Sequence, residues 1–203
     1  KNVIFGINLS CVGDEGQPSI IKSLNEDTLA DKIFENIFNF HSNTKFYNYL
    51  HDRGSDERQF NLPRINLPIV TFTKSKFNTY KEYHTSLDNL KFISKKGFQK
   101  SFEIINTAIK TCENNNTYQC LSTVEPFFEK KLSTEYLKKF LTNEYILKED
   151  YIFMLLINIL ALCDGKRDLI DISNILNTKF EIVYQFAMYL VKIKSIKVLD
   201  RTK

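Results

Sequence analysis

A histidine with acidic neighbours stands in the stretch EYHTSLD, residues 82–88. It follows the apolar run LPIVTFTKSKF, which predicts a buried strand and its exit loop. Active sites of α/β folds lie where strands end, and a histidine there can bind a metal ion. A histidine in a tyrosine-rich loop can equally be a structural residue that satisfies loop carbonyls. Both interpretations of His84 stay open on local chemistry.

A charged segment, DRGSDER at residues 52–58, precedes the same strand. Its three acids and two arginines would need ion pairs or a metal if they were buried, and neither on a solvated loop. Arg53 and Arg58 could bind a substrate carboxylate, because guanidinium groups pair with carboxylates bidentately. The alternative is that both arginines form salt bridges with the neighbouring acids.

These motifs resemble a known family. HTxxD in YHTSLD resembles the segment of M28-type zinc aminopeptidases that carries the last metal ligand, and GSDERQF resembles the SDHxPF segment before it. Together with LALCDGKRDLIDIS, they resemble the DUF4910 (DUF2172-associated) aminopeptidase-like proteins, often described as polysaccharide-biosynthesis proteins. The resemblance runs from Val3 to about Leu199. It implies the C-terminal part of an M28-like α/β domain, followed by a winged helix-turn-helix.

The resemblance implies roles for four residues. His84 would be a zinc ligand, Thr85 and Asp88 would support its loop, and Asp56 would belong to the hydrogen-bond network of the active site. A catalytic zinc ion keeps one position open and polarises the scissile carbonyl. The implied activity is hydrolysis of an N-terminal peptide bond or a related amide bond in a peptide or small amide substrate.

The sequence departs from the family pattern at three places. Ser10 and Cys11 stand where two-metal enzymes have a metal-binding aspartate, which favours a single metal. Cys11 could bind zinc as a thiolate or be a core thiol, since free cysteines are often buried. Glu57 stands where the family has histidine. The remaining ligands and the general base are expected upstream of Lys1.

Apolar patterns predict the elements that would position these residues. We expect strands within residues 2–12, 45–50 and 69–72, the first of them inside a helix-covered sheet, and a helix over residues 26–40. A long helix within residues 86–112 should bury Phe98, Phe102, Ile105 and Ile109 on one face. A composition shift at NNNT predicts a first domain over 1–113, a linker over 114–147 with a helix at Thr134–Leu141, and a winged helix-turn-helix over 148–203.

The C-terminal segment has the element order of a winged helix. A buried helix over Glu149–Cys163 and a short helix over Leu169–Leu176 precede a third helix that Thr178 should cap, and Ser195–Leu199 closes as a strand. From Asp150 onward eight basic and six acidic residues leave a net charge of only +2, and the third helix offers Lys179 beside Glu181. This balance disfavours nucleic acid and favours a packing module that could form a homo-oligomer.

Composition limits the other possibilities. The chain has 203 residues, a net charge of +4 with interleaved signs, and six glycines without a phosphate-loop pattern. Four dispersed cysteines and the absence of a signal peptide favour a reduced, cytoplasmic protein. The longest apolar run is shorter than the ~20 residues of a membrane span. Two other functions stay open: a non-catalytic accessory protein of polysaccharide biosynthesis, and a winged-helix regulator.

Overall fold

The computed structural model describes residues 3–128, 135–140 and 149–199. The chain divides into two compact units, Lys1–Cys112 and Glu113–Lys203. The ends of the helix predicted over Thr134–Leu141 lie outside the described residues. Within that range Lys138–Phe140 forms a 3-10 helix.

The first unit is an α/β arrangement, as predicted. Its elements are β1 (Gly6–Leu9), β2 (Ser19–Ile21), α1 (Leu29–Asn39), β3 (Lys45–Tyr47), α2 (Tyr49–Asp52), α3 (Glu57–Phe60), β4 (Ile69–Thr73) and α4 (Lys95–Asn114). The sheet order is β1-β4-β2-β3. β1 is parallel to β4 and β2 is parallel to β3, whereas β2 and β4 are antiparallel. In the described residues β1 is therefore an edge strand, which corrects the expectation that it lies inside the sheet.

The core of this unit lies between the sheet and α1. Thr28 begins α1 with a capping box, in which its side chain and that of Asp31 satisfy each other's backbone N–H groups. Phe34 of α1 stacks on Phe72 of β4 with ring centroids 6.2 Å apart. β4 is buried almost throughout because strands pair on both its sides, and this explains its continuous apolar run.

The buried face of α4 differs from the predicted one. Phe98, Phe102 and Ile109 are 47%, 67% and 43% exposed. The buried positions carry mainly small side chains: Gly97, Ser101, Ile104, Ala108 and Thr111. A Cβ atom on Gly97 would lie 2.3 Å from the carbonyl oxygen of Gly13, so the helix approaches that backbone too closely for large side chains. Close backbone packing, rather than hydrophobic periodicity, decides which face of α4 points inward.

The second unit contains the elements β5 (Thr117–Cys120), α5 (Glu149–Leu162), β6 (Asp164–Asp168), α6 (Leu169–Ile175), α7 (Phe180–Lys192) and β7 (Ile196–Leu199). Its antiparallel sheet has the order β6-β5-β7. The three helices and the closing strand were predicted, but β5 and β6 were not. β5 falls in the stretch interpreted as a linker and is the central strand of this sheet. Lys179, not Thr178, is the N-cap of α7.

Candidate active site at the carboxyl edge of the sheet

β1 and β4 end side by side, which defines the candidate site. The two strands are parallel, so their carboxyl ends meet at one edge of the sheet. The Lys74 N–H, directly after β4, donates to the carbonyl oxygen of Cys11 after β1 at 3.0 Å. Ligands of α/β proteins bind at such edges, beyond the carboxyl ends of parallel strands. The loops that follow both strands therefore supply the residues to consider.

Asp14 anchors the loop after β1. Its buried carboxylate accepts hydrogen bonds from the Ser75 hydroxyl at 2.8 Å, from the Ser75 N–H at 3.3 Å and from the Gly16 N–H at 2.5 Å. Glu15 is exposed instead, and hydrogen bonds from Lys96 and Ser94 lower the pKa of its carboxyl group. Asp14 thus links the loop after β1 to the loop after β4.

Glu57 is the buried carboxylate of the charged segment, although Asp56 was expected in the hydrogen-bond network. Its side chain is 0% exposed and accepts four hydrogen bonds. The donors are the Gly54 N–H (2.7 Å), the Ser55 N–H (3.1 Å), the Thr71 hydroxyl (2.8 Å) and the Asn8 amide (3.1 Å). Glu57 therefore fastens the segment to β1 and β4, whereas Asp56 is exposed and makes no side-chain cap bond.

Neither arginine of the segment pairs with its acids in the described part of the chain. Arg53 donates to the Leu50 carbonyl at 2.5 Å and lies over the Tyr49 ring, and Arg58 donates to the Ser55 carbonyl at 3.2 Å. Both side chains are exposed. Backbone carbonyls, rather than the predicted salt bridges, therefore hold them, and they retain donors for a ligand.

His84 lies on the loop between β4 and α4, with its side chain exposed. The imidazole stacks on Tyr83 at 4.0 Å, and Tyr83 packs edge-on against Tyr80. The Tyr80 hydroxyl in turn donates to the Cys11 sulfur at 3.3 Å. This chain of contacts connects His84 to the end of β1.

Cys11 after β1 and His84 on the loop after β4 have left-handed backbones. Cys11 has φ +51° and His84 has φ +57°. Residues other than glycine rarely adopt this region, although six further non-glycine residues of the described chain do so as well. The thiol of Cys11 is half-buried.

Thr85 closes a turn directly after His84. Its hydroxyl donates to the Glu82 carbonyl at 2.7 Å and accepts from the Leu87 N–H at 3.2 Å. The Asp88 N–H donates to the Thr85 carbonyl at 3.1 Å. Asp88 itself is exposed and lies close enough to Tyr80 to contribute to the raised pKa of that phenol.

The donor set for a metal ion is incomplete in this part of the protein. Across the described ranges, no three or more His, Cys, Asp and Glu side chains are grouped so that they could hold a metal ion. Asp14 and Glu57 already accept three and four hydrogen bonds, so they are poor additional ligands. These residues do not form a zinc site by themselves, and His84 is one ligand candidate.

Sequence reasoning did not predict that Lys74, Asp14 and Glu57 are buried. Lys74 is 1% exposed, although it is a lysine at the exit of a strand. The sequence indicated the importance of Lys74 only through its position directly after the apolar run of β4. Burial of the two carboxylates depends on donors that are 14 to 61 residues away in the sequence, so no local pattern could reveal it.

The third helix of the winged-helix unit is a packing element. Seven of the thirteen residues of α7 are buried, among them Phe186, Ala187 and Leu190. Gln185 is half-buried, and the exposed Glu181 stands in the first turn.

Comparisons with known proteins agree with this architecture. The family model described as "Domain of unknown function (DUF4910)" matches residues 1–115. The chain belongs to the DUF4910 family. A second family model, a winged helix-turn-helix, matches residues 143–197. The C-terminal winged helix expected from the sequence is thereby confirmed.

A curated relative and a solved structure, both from Clostridium acetobutylicum, carry functional descriptions. One, called "Putative polysaccharide biosynthesis protein with aminopeptidase-like domain", is 31% identical over 98% of this chain and 44% of its own length. The other is a crystal structure described as that of a "putative peptidase"; it has a TM-score of 0.81 and 29% identity over 98% of this chain and 42% of its own. The DUF4910 chain thus spans less than half the length of either. None of its described helices combines the length and apolarity that a bilayer crossing requires.

Proposed function

We propose that this DUF4910 chain is part of an aminopeptidase-like hydrolase that cleaves N-terminal peptide bonds or related amide bonds. The observation that carries the proposal is an exposed histidine with a left-handed backbone, on the loop that Tyr80 ties to the end of β1, in a chain similar to a protein with an aminopeptidase-like domain. Two exposed arginines, Arg53 and Arg58, lie on the segment that precedes β4. The arginines suit a substrate carboxylate.

Zinc is the cofactor that we propose for His84. An imidazole is a preferred zinc ligand, and a bound zinc ion would polarise the scissile carbonyl group. Because the described residues do not complete a zinc site, the other ligands would come from outside them. Tyr83 and Thr85 would hold the imidazole in place through the ring stack and the turn.

Zinc content and hydrolysis test the proposal on the longest natural polypeptide that contains this sequence. Elemental analysis should find about one zinc per chain, and His84→Ala should lose both the zinc and the cleavage of aminoacyl chromogenic substrates. His41→Ala is the matched control, because His41 is an exposed histidine that follows α1. Zinc and activity that are indifferent to His84 would refute its role. A protein that cleaves no member of a panel of aminoacyl and glutaminyl substrates would instead be an accessory protein.

A further inference from the structure

Large apolar side chains are exposed on the winged-helix unit, both in the segment that follows β5 and on α5. Phe127 is 98% exposed, Val124 is 76% exposed and Met154 is 51% exposed. Leu121 and Tyr151 are exposed as well. Single exposed apolar residues are ordinary on a protein surface, whereas a group of them marks an interaction site. We call these five residues the apolar patch.

The composition of α5 indicates that its outer face is covered in the assembled protein. Residues 151–162 include no charged side chain. A helix that is apolar all round is ordinarily buried all round. Tyr151, Met154 and Ala161 are nevertheless exposed, and their spacing of three and seven residues places them on one face of the helix. This face therefore lacks the cover that its composition calls for.

A cavity of about 230 Å³ lies between α5 and the segment after β5. Val124 lines it from the segment, and Ile157, Leu160 and Ala161 line it from the helix. The two parts of the apolar patch are therefore adjacent. The cavity is smaller than the roughly 300 Å³ at which small-molecule pockets begin, so it suits a single apolar side chain. Phe127, two residues beyond the cavity lining, is a side chain of that kind.

The apolar patch is complementary to itself in shape and in charge. It carries both a protruding ring, Phe127, and an apolar cavity beside it. Two copies related by a two-fold axis use the same surface twice, so one chain must supply both features. Identical charges would also face each other across such an interface and repel. Glu125 is the one charged residue within 120–127 and 151–162, so this surface brings few like charges together.

From these observations we propose that two copies of the chain associate through the apolar patch, and that Phe127 of each copy occupies the cavity of the other. The occupant of the cavity is thus a second copy of this chain, which also covers the outer face of α5. The proposal goes beyond the proposed function and involves no covalent step.

Sedimentation equilibrium of the longest natural polypeptide that contains this sequence tests the proposal at concentrations up to about 100 μM. The wild type should form a dimer. Phe127→Lys should weaken the dimer at least about thirtyfold, as expected when a central aromatic anchor is lost from an interface. Ile175→Lys is the matched control, because Ile175 is a 57% exposed apolar residue of α6 outside the patch, and it should leave the dimer intact. Thermal unfolding checks that each variant is folded.

Cross-linking tests where residue 127 lies in the dimer, because Cys120 lines the cavity. In the Phe127→Cys variant, a short bismaleimide should join the introduced thiol of one copy to Cys120 of the other. The product should have twice the mass of the chain in a denaturing gel, and it should be lost when Cys120→Ser is added. Ile175→Cys should give no more of this product than the wild type does.

A wild type that is monomeric throughout this concentration range would overturn the proposal, because another part of the polypeptide would then cover the apolar patch. A dimer that Phe127→Lys leaves unchanged, or that Ile175→Lys weakens equally, would overturn it as well, since association would then use a different surface. Cross-linking that does not depend on Cys120 would remove Phe127 from the cavity. None of these measurements requires hydrolysis, so their outcome is independent of the proposed function.

Discussion

The Tyr80 hydroxyl donates a hydrogen bond to the Cys11 sulfur at 3.3 Å and so ties the His84 loop to the end of β1. Burial raises the pKa of the Tyr80 phenol above its ordinary value, and the bond to Cys11 raises it further. The folded state therefore holds this proton more tightly than the unfolded state does. This contribution to stability is complete below about pH 10 and is lost as the pH rises further.

Replacement of Tyr80 by phenylalanine should remove that pH dependence. The ring stack on Phe92, with centroids 5.1 Å apart, can persist, so the stability near neutral pH should change by about 1 kcal/mol or less. Urea unfolding at about pH 8 and about pH 11 should show a larger loss for the wild type than for Tyr80→Phe. Tyr151→Phe, which removes an exposed tyrosine of α5, is the matched control. Equal losses in the wild type and Tyr80→Phe would contradict the assignment.

Glu57→Gln should destabilise the first unit strongly. The buried carboxylate accepts four hydrogen bonds, and an amide in its place would direct its NH2 group at one or more of the same donors. We expect a loss of about 2–4 kcal/mol in the free energy of unfolding, measured by urea titration. Asp56→Asn, one residue earlier and exposed, should change it by less than about 0.5 kcal/mol. A small effect of Glu57→Gln would mean that the charged segment is held by other contacts.

Gly97→Ala should also destabilise, contrary to the usual gain from alanine in a helix. That gain is about 0.5–1 kcal/mol. Here the added Cβ would meet the carbonyl oxygens of Gly13 and Asp14 at 2.3 and 2.4 Å. Since backbone atoms cannot move aside cheaply, we expect a loss of about 3 kcal/mol in a denaturation experiment. Gln99→Ala, at an exposed position of α4, is the control. No change in the free energy of unfolding for Gly97→Ala would show that α4 does not pack closely against the Gly13–Asp14 backbone.

Tyr118→Phe should stabilise the winged-helix unit. Tyr118 is 0% exposed, and its hydroxyl makes no hydrogen bond of ordinary geometry among the residues the structure describes, although the nearby Asn116 side chain acts to lower its pKa. Removal of an unsatisfied buried hydroxyl should raise the free energy of unfolding by about 1 kcal/mol. Because burial raises the pKa of Tyr118 to about 12, the folded unit loses further stability as the pH rises from about 10 to about 12.

Unfolding at alkaline pH gives a second test of Tyr118→Phe. Tyr118→Phe should be less sensitive to alkali than the wild type over that pH range, because phenylalanine has no proton to lose. A higher free energy of unfolding for the wild type than for the variant at about pH 8 would indicate that the hydroxyl has a hydrogen-bond partner.

Local patterns in the sequence predicted much of the scaffold. Hydrophobic spacing predicted β4 from its apolar run and α1 from Ile33 and Ile37. It also predicted the helices of the winged-helix unit. Each depends on residues a few positions apart, which hydrophobic periodicity reports directly. β5 and β6 were not predicted, because their sequences, TYQC and DGKRD, carry little apolar signal. They become strands by pairing with segments distant in sequence.

Only the tertiary structure decided which face of α4 is buried and which charges of the candidate site are buried. Phe98 and Phe102 carry the apolar pattern, yet backbone contact at Gly97 turns the small residues inward. The sequence by itself determined the DUF4910 motifs, the exit of β4 and the histidine that follows it. It could not determine that Glu57 and Lys74 are buried, because burial and hydrogen bonding depend on chain segments that meet only when the parallel strands β1 and β4 pair.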